Sequence, residues 1–189
     1  MKIELKNFKH AAFSSKGTAC FTATVYVDDV KTFIASNSGQ GECSSFYPVD
    51  GKTLEDVHQV ERWIESQPKI KLMDEFEVFD SLDYFIARLV DRQIETVRLK
   101  RLLKKHVIIY DPMSYPPSPK AGALLEFPGS VKPASLNDKQ RASLEEKYTG
   151  CLILNDLELD QALDMFLASN VPERMSEVYR QIKDKSEVA

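Results

Sequence analysis

The sequence predicts an α+β protein: a three-stranded antiparallel N-terminal meander, a long central helix, and C-terminal strand and helix units. Three observations lead to that class. The opening third alternates apolar and polar residues with period two, as half-buried strands do. Residues 82–97 instead repeat their apolar side chains every three or four positions, as an amphipathic helix does. Two four-residue apolar runs, 107–110 and 151–154, each follow a helical pattern and read as strands covered on both faces.

At about 150 residues per domain, a chain of 189 residues is expected to form a single domain. A possible subdivision runs 1–110, a Pro-rich connection over 111–135, and 136–189. Ile3 and Leu5 face one way against Lys2, Glu4 and Lys6 in the first strand, 2–8. In the second, 19–27, Ala19, Phe21, Ala23, Val25 and Val27 face the core. Asp28 and Asp29 supply turn chemistry before a third strand at 30–36. Residues 36–51 hold three of the seven glycines and read as a loop. Thr53 with Asp56 forms a capping box in which Asp replaces the longer Glu, and Leu54, Val57, Val60 and Ile64 make one apolar face up to Pro68. Trp63 lies about 100° off that stripe and is expected to pack a second surface or stay partly exposed.

A second helical region is expected from near Asp74 to His106, with a restart at Asp80 and Asp83. Its stripe comprises Leu82, Phe85, Ile86, Leu89, Val90, Ile94 and Val97. After Arg98 the stripe moves, because Leu99, Leu102 and Leu103 project onto the formerly polar side. Either the helix bends there or its last turns pack against something different, a partner chain being one candidate. Residues 123–127 offer a further strand inside a connection holding six of the nine prolines. Leu159, Leu163, Phe166 and Leu167 mark a helix at 158–167, and a charged helical tail is expected from Pro172.

With 43% hydrophobic and 29% charged residues the chain can build a core and is neither fibrous nor broadly disordered. Apolar runs of four fall far short of the roughly 18 residues that span a bilayer, so no membrane partner is expected. Lys2, Glu4 and Lys6 break up any secretory signal, which points to the cytoplasm. Three cysteines separated by 23 and 108 residues make neither a disulfide framework nor a zinc half-site, and three scattered histidines add no ligand pair. No metal and no cofactor is therefore expected, and Cys43 reads as a loop thiol without a partner base.

Charge is segregated. Residues 53–87 hold nine acids and three bases, whereas residues 88–106 hold seven bases against Asp91 and Glu95, in a chain of net charge −4. Arg98, Arg101, Lys104 and Lys105 are the candidate contact residues for a macromolecular partner: a protein first, nucleic acid second through residues 88–106. The bland alternative is that late bases complement the helix dipole. Asn37, Gly39 and Gly41 could present N–H groups to an anion, although no phosphate-binding fingerprint follows them. Asp111 and Asp156 follow the two apolar runs, where carboxylates can hold magnesium or simply cap helices. Pro116-Pro117-Ser118-Pro119 lacks a basic anchor and reads as a stiff loop. No complete catalytic constellation is assembled.

Residues 1–10 (Met-Lys-Ile-Glu-Leu-Lys-Asn-Phe-Lys-His), 20–28 (Cys-Phe-Thr-Ala-Thr-Val-Tyr-Val-Asp) and Ser36-Asn37 with its Gly-rich sequel resemble a group of small uncharacterised proteins encoded in bacterial and phage genomes. The resemblance covers the first quarter of the chain and carries no activity. It implies an accessory or phage origin, in which small proteins act by binding host machinery. The expected function is accordingly a cytoplasmic, non-enzymatic binding protein, possible as a homodimer. The alternatives are a small-ligand protein that binds a nucleotide or other anion, or a magnesium-dependent enzyme, using the Gly-rich loop and the strand-end aspartates, and a nucleic-acid-binding protein using the basic end of the long helix.

Overall fold

Alternation in the opening third becomes a four-stranded antiparallel sheet in which β1 (Ile3–His10), β2 (Phe21–Val27), β3 (Val30–Asn37) and β4 (Ser45–Pro48) lie in chain order. The structure is a computed structural model and describes residues 1–68, 70–73, 76–78, 80–110, 124–127, 137–147 and 152–168. Asp28 and Asp29 have φ of 48° and 66°, so both central residues of the β2–β3 hairpin are left-handed, as a two-residue turn matched to strand twist requires. Asn7, at φ 53°, inserts one extra residue between the pairs Lys6↔Thr24 and Lys9↔Thr22, and this bulge lets β1 run on to His10.

The predicted three-stranded meander therefore gains a strand. Residues 45–48, expected as loop, pair with β3 in the register Phe33↔Pro48 to Ser36↔Ser45. Pro48 is tolerated there because β4 is an edge.

Helix α1 (Leu54–Glu65) starts at the expected box: the Thr53 N–H and hydroxyl donate to Asp56 Oδ2 at 2.8 and 3.0 Å. Val57, Val60 and Ile64 are buried, but Leu54, expected on the same face, is 60% exposed. As the first helical residue, Leu54 sits at the helix mouth, beyond the reach of the sheet-facing stripe. Trp63 is half-buried, with its ring edge-on to Phe85 at 6.5 Å.

The expected helix beginning near Asp74 is replaced by a hairpin of β5 (Ile70–Met73) and β6 (Phe76–Val78), with Ile70 opposite Val78. Ile70 and Leu72 flank Lys71, Phe76 and Val78 flank Glu77, and that period of two outweighs the helix-starting acids between them. Helix α2 then spans Leu82–Lys105.

The chain divides into two compact units, Met1–Ile94 and Glu95–Ala189, each with its own core. In the first, Phe21, Ala23, Val25, Phe33 and Ala35 of the sheet pack with Val57, Val60 and Ile64 of α1 and Leu82, Ile86 and Val90 of α2. In the second, β7 (Val107–Tyr110) is central, flanked antiparallel by β8 (Leu124–Phe127) and β9 (Leu152–Ile153), and α3 (Asp138–Lys147) and α4 (Leu159–Ala168) complete its described elements. All four β7 residues are buried, as two-faced coverage predicts.

The displaced stripe after Arg98 now has its reason. Leu99 is fully buried, with Leu102 and Leu103 packed around it, in a cluster with Ile108, Leu154, Leu163 and Met165. The last turns of α2 belong to a second core of the same chain, so the displacement calls for no partner chain. Val97, expected to continue the first stripe, is 43% exposed. On α4, Ala162, Leu163, Met165 and Ala168 are buried, while Leu159, Phe166 and Leu167 are only half-buried. The buried arc is thus displaced from the predicted stripe toward Ala162, Met165 and Ala168. Asp111, Cys151, the four-residue proline run and the tail from Pro172 lie outside the described residues.

Candidate functional site

The glycine-rich loop after β3 is built around two acceptors of its own chain. Asn37 Oδ1 accepts the Gly39 N–H at 2.7 Å and the Thr18 hydroxyl at 2.8 Å, and Asn37 Nδ2 donates to the Glu42 carbonyl at 2.8 Å. The Glu42 carboxylate accepts from the Ser38 N–H (2.9 Å), the Ser38 hydroxyl (2.5 Å) and the Gln40 N–H (3.2 Å). Gly41 N–H reaches Thr18 Oγ1 at 3.3 Å. Every N–H from Ser38 to Gly41 thus points at an internal acceptor. The position that the sequence reading gave to an external anion is filled by Glu42, the residue that reading overlooked.

Gly39 has φ +86°, and a Cβ there would come within 2.5 Å of the Ser14 carbonyl oxygen, so glycine is required by both conformation and space. Its own carbonyl accepts from Lys16 and Gly17 N–H at 2.8 and 3.0 Å. These bonds hold the β1–β2 connection against the β3–β4 connection.

The Ser38 hydroxyl, and after it the loop N–H groups, hold the Glu42 carboxyl below the usual glutamate range; the Thr53 N–H chiefly does the same for Asp56. A depressed folded-state pKa contributes stability that is present above the unfolded value, about 4.3 for glutamate, and lost as pH falls through the folded one. Thermal melts taken between pH 6 and 3 should therefore fall more steeply for the wild-type chain than for Glu42→Gln. Parallel curves would remove Glu42 from that account.

Beside this loop lies a cleft of about 530 Å³, with Lys16, Thr18, Asn37, Glu42, Asp83 and Asp91 on its walls and Phe21 and Val90 among its apolar lining. Asp83 Oδ1 accepts the Ser44 N–H at 2.8 Å, which ties the loop to the first turn of α2. His10 Nε2 stands 3.3 Å from Ser15 Oγ at the same place. That hydroxyl donates to the Ala11 carbonyl at 3.1 Å and accepts the Cys20 N–H at 2.9 Å. Its proton is already placed, so it closes the β1–β2 connection and is not delivered to the imidazole. Among the described residues, no group of three or more His, Cys, Asp or Glu could hold a metal ion.

Asp156 lies in the other unit from Asn37, Gly39 and Gly41 and is ion-paired with Arg141. Its neighbour Asn155 has the larger structural role: it accepts the Ile108 N–H at 2.9 Å and donates to the Leu103 and His106 carbonyls at 3.0 and 3.1 Å. One side chain therefore caps the end of α2 and pins the start of β7.

The basic end of α2 is the other candidate. Lys100, Arg101, Lys104 and Lys105 are all exposed, and among the described residues none of them makes an ion pair. At 100° per residue they occupy, with Arg98, roughly 160° of the helix circumference, and after Asp83 in the first turn no acid of α2 lies within that arc. Val97 falls in the middle of it. Arg98, expected as an equal contact residue, is engaged already: its guanidinium bonds Glu95 at 3.3 Å and lies over the Phe166 ring, 5.5 Å from the centroid. The free charge is carried instead by Arg101, Lys104 and Lys105 with Lys100, which the sequence reading counted among the bases but did not single out.

The first unit holds 15 acids and 11 bases, whereas the second balances 14 against 14, so the positive arc stands out in a neutral unit. No helix among the described residues is long and apolar enough to cross a membrane. No family model, curated protein or solved structure matches the chain.

Proposed function

We propose that the chain is a non-catalytic binding protein that captures an acidic surface of another protein through the last two turns of α2. The observation that carries this reading is four exposed bases on one helical face, without ion pairs among the described residues and with no acid among them. A helix dipole is complemented by one or two cations in its last turn; Lys100 and Arg101 lie outside that need. Such a face steers an acidic partner and sets specificity by charge complementarity. The N-terminal resemblance to small bacterial and phage-encoded proteins supports a host protein as partner and the cytoplasm as the place of action.

Fluorescence anisotropy with a labelled polyglutamate peptide tests this. Arg101→Glu with Lys105→Glu should weaken binding about tenfold or more, and raising salt from 50 to 200 mM should weaken the wild type as well. Undiminished binding by the double variant would remove this face from the account. Tighter, salt-steep binding of an oligonucleotide than of the peptide would assign the face to nucleic acid instead.

A further inference from the structure

From the position of Val97 we infer that the acidic segment captured by α2 carries an apolar side chain about one helical turn from its carboxylates. This rests on the reading of the basic face as a protein-binding surface and specifies what that surface recognises.

Val97 is 43% exposed, although the helix continues on both sides of it. Its projection falls between those of Lys104 and Arg101, about 20° and 40° away at 100° per residue. Lys100 and Lys105 lie at the borders of the same arc. Going along the axis, Val97 comes first, the Lys100 and Arg101 level follows roughly one turn later, and the Lys104 and Lys105 level roughly one turn after that. The whole array spans about 12 Å at 1.5 Å per residue.

A face that served charge alone would open on a polar residue at that position. A β-branched apolar residue exposed one turn ahead of two basic levels on the same face fits a ligand that is itself amphipathic: carboxylates for the two basic levels, and one apolar group to cover Val97. It does not fit a phosphate backbone, which offers regularly spaced charge and no apolar group at that position. The Arg98 guanidinium, held by Glu95 and Phe166, is already engaged within the chain and leaves the free charge of this face to Lys100, Arg101, Lys104 and Lys105. Salt bridges at such an exposed surface give modest affinity individually, so the buried apolar contact would distinguish one acidic segment from another.

Two labelled peptides test this. One has a single leucine one helical turn before a run of glutamates; in the other, serine replaces the leucine. The wild-type chain should bind the leucine peptide about fivefold more tightly, from the apolar area removed from water. Val97→Ser should abolish that preference while binding the serine peptide unchanged, with circular dichroism checking that α2 is intact.

Equal affinity of the wild type for both peptides would overturn the inference. The broader reading would survive that result provided Arg101→Glu with Lys105→Glu still loses both peptides. If the wild type binds neither peptide, the reading and the inference fail together. A preference for leucine that persists in Val97→Ser would place the apolar contact elsewhere and overturn the inference alone.

Discussion

Replacing Asp80 by alanine is expected to lower the unfolding free energy by about 3 kcal/mol, at the lower end of the range for removing one partner of a buried ion pair. Asp80 is the one acid among the buried polar residues of the described chain, and its side chain is only 7% exposed. Both its oxygens accept from the Arg88 guanidinium, Oδ1 at 3.0 Å from Nη1. The same guanidinium lies over the rings of Tyr84 and Phe85, 5.1 and 5.5 Å from their centroids, and Phe85 packs on Trp63. Loss of the carboxylate frees Arg88, which is 39% exposed and can turn to water, and this is why the cost stays near the lower end. Trp63 is the chain's one tryptophan, so urea titration followed by its fluorescence reports on this network. Asp80→Asn, which keeps one neutral acceptor, should cost about half as much. A midpoint for Asp80→Ala within error of the wild type would mean that the pair adds nothing to stability.

Asn155→Ala is expected to cost about 2–4 kcal/mol, from leaving a buried N–H and two carbonyls without their partner. The Ile108 N–H loses its acceptor between fully buried neighbours, and the carbonyls of Leu103 and His106 lose the amide that ends α2. Asn155→Asp keeps the acceptor for Ile108 but sets a negative charge against two carbonyl oxygens, so it should recover little. Hydrogen exchange at Ile108 measures the effect locally. Unchanged protection of that amide in Asn155→Ala would show that β7 is held by its strand pairing alone.

These two residues differ in how far the sequence revealed them. Asp80 stood out as a helix restart, because an acid before an apolar stripe is a local signal. Asn155 gave no signal, since its partners lie 47 to 52 residues away and nothing local distinguishes it from a loop asparagine. The same contrast runs through the fold. Alternation and turn chemistry revealed three strands of the sheet, and the displaced leucines after Arg98 revealed that α2 serves a different environment, but not that this environment is the chain's own second core. The fourth strand was hidden because a four-residue edge ending in proline lacks a measurable period. The 70–78 hairpin was hidden because Asp74 and Glu75 favour helix locally. At the sites, the bases of α2 were legible as charge, while the commitment of Arg98 to Glu95 and Phe166 depends on packing. The glycine loop was legible as a cradle for an anion. That the anion is Glu42 is a matter of loop closure that spacing alone does not specify.

Both rims of the N-terminal sheet are blunted. At one side β1 carries Lys6 and Lys9, follows directly on Lys2 and is broken by the Asn7 bulge; at the other, β4 is four residues long and ends in Pro48. A strand from another copy would meet charge and a misaligned ladder on the first rim, and a missing N–H donor on the second. The consequence is resistance to strand-on-strand stacking when the protein is crowded. A chain whose proposed work is to collect acidic partners is thereby kept from using its own sheet as a template for aggregation.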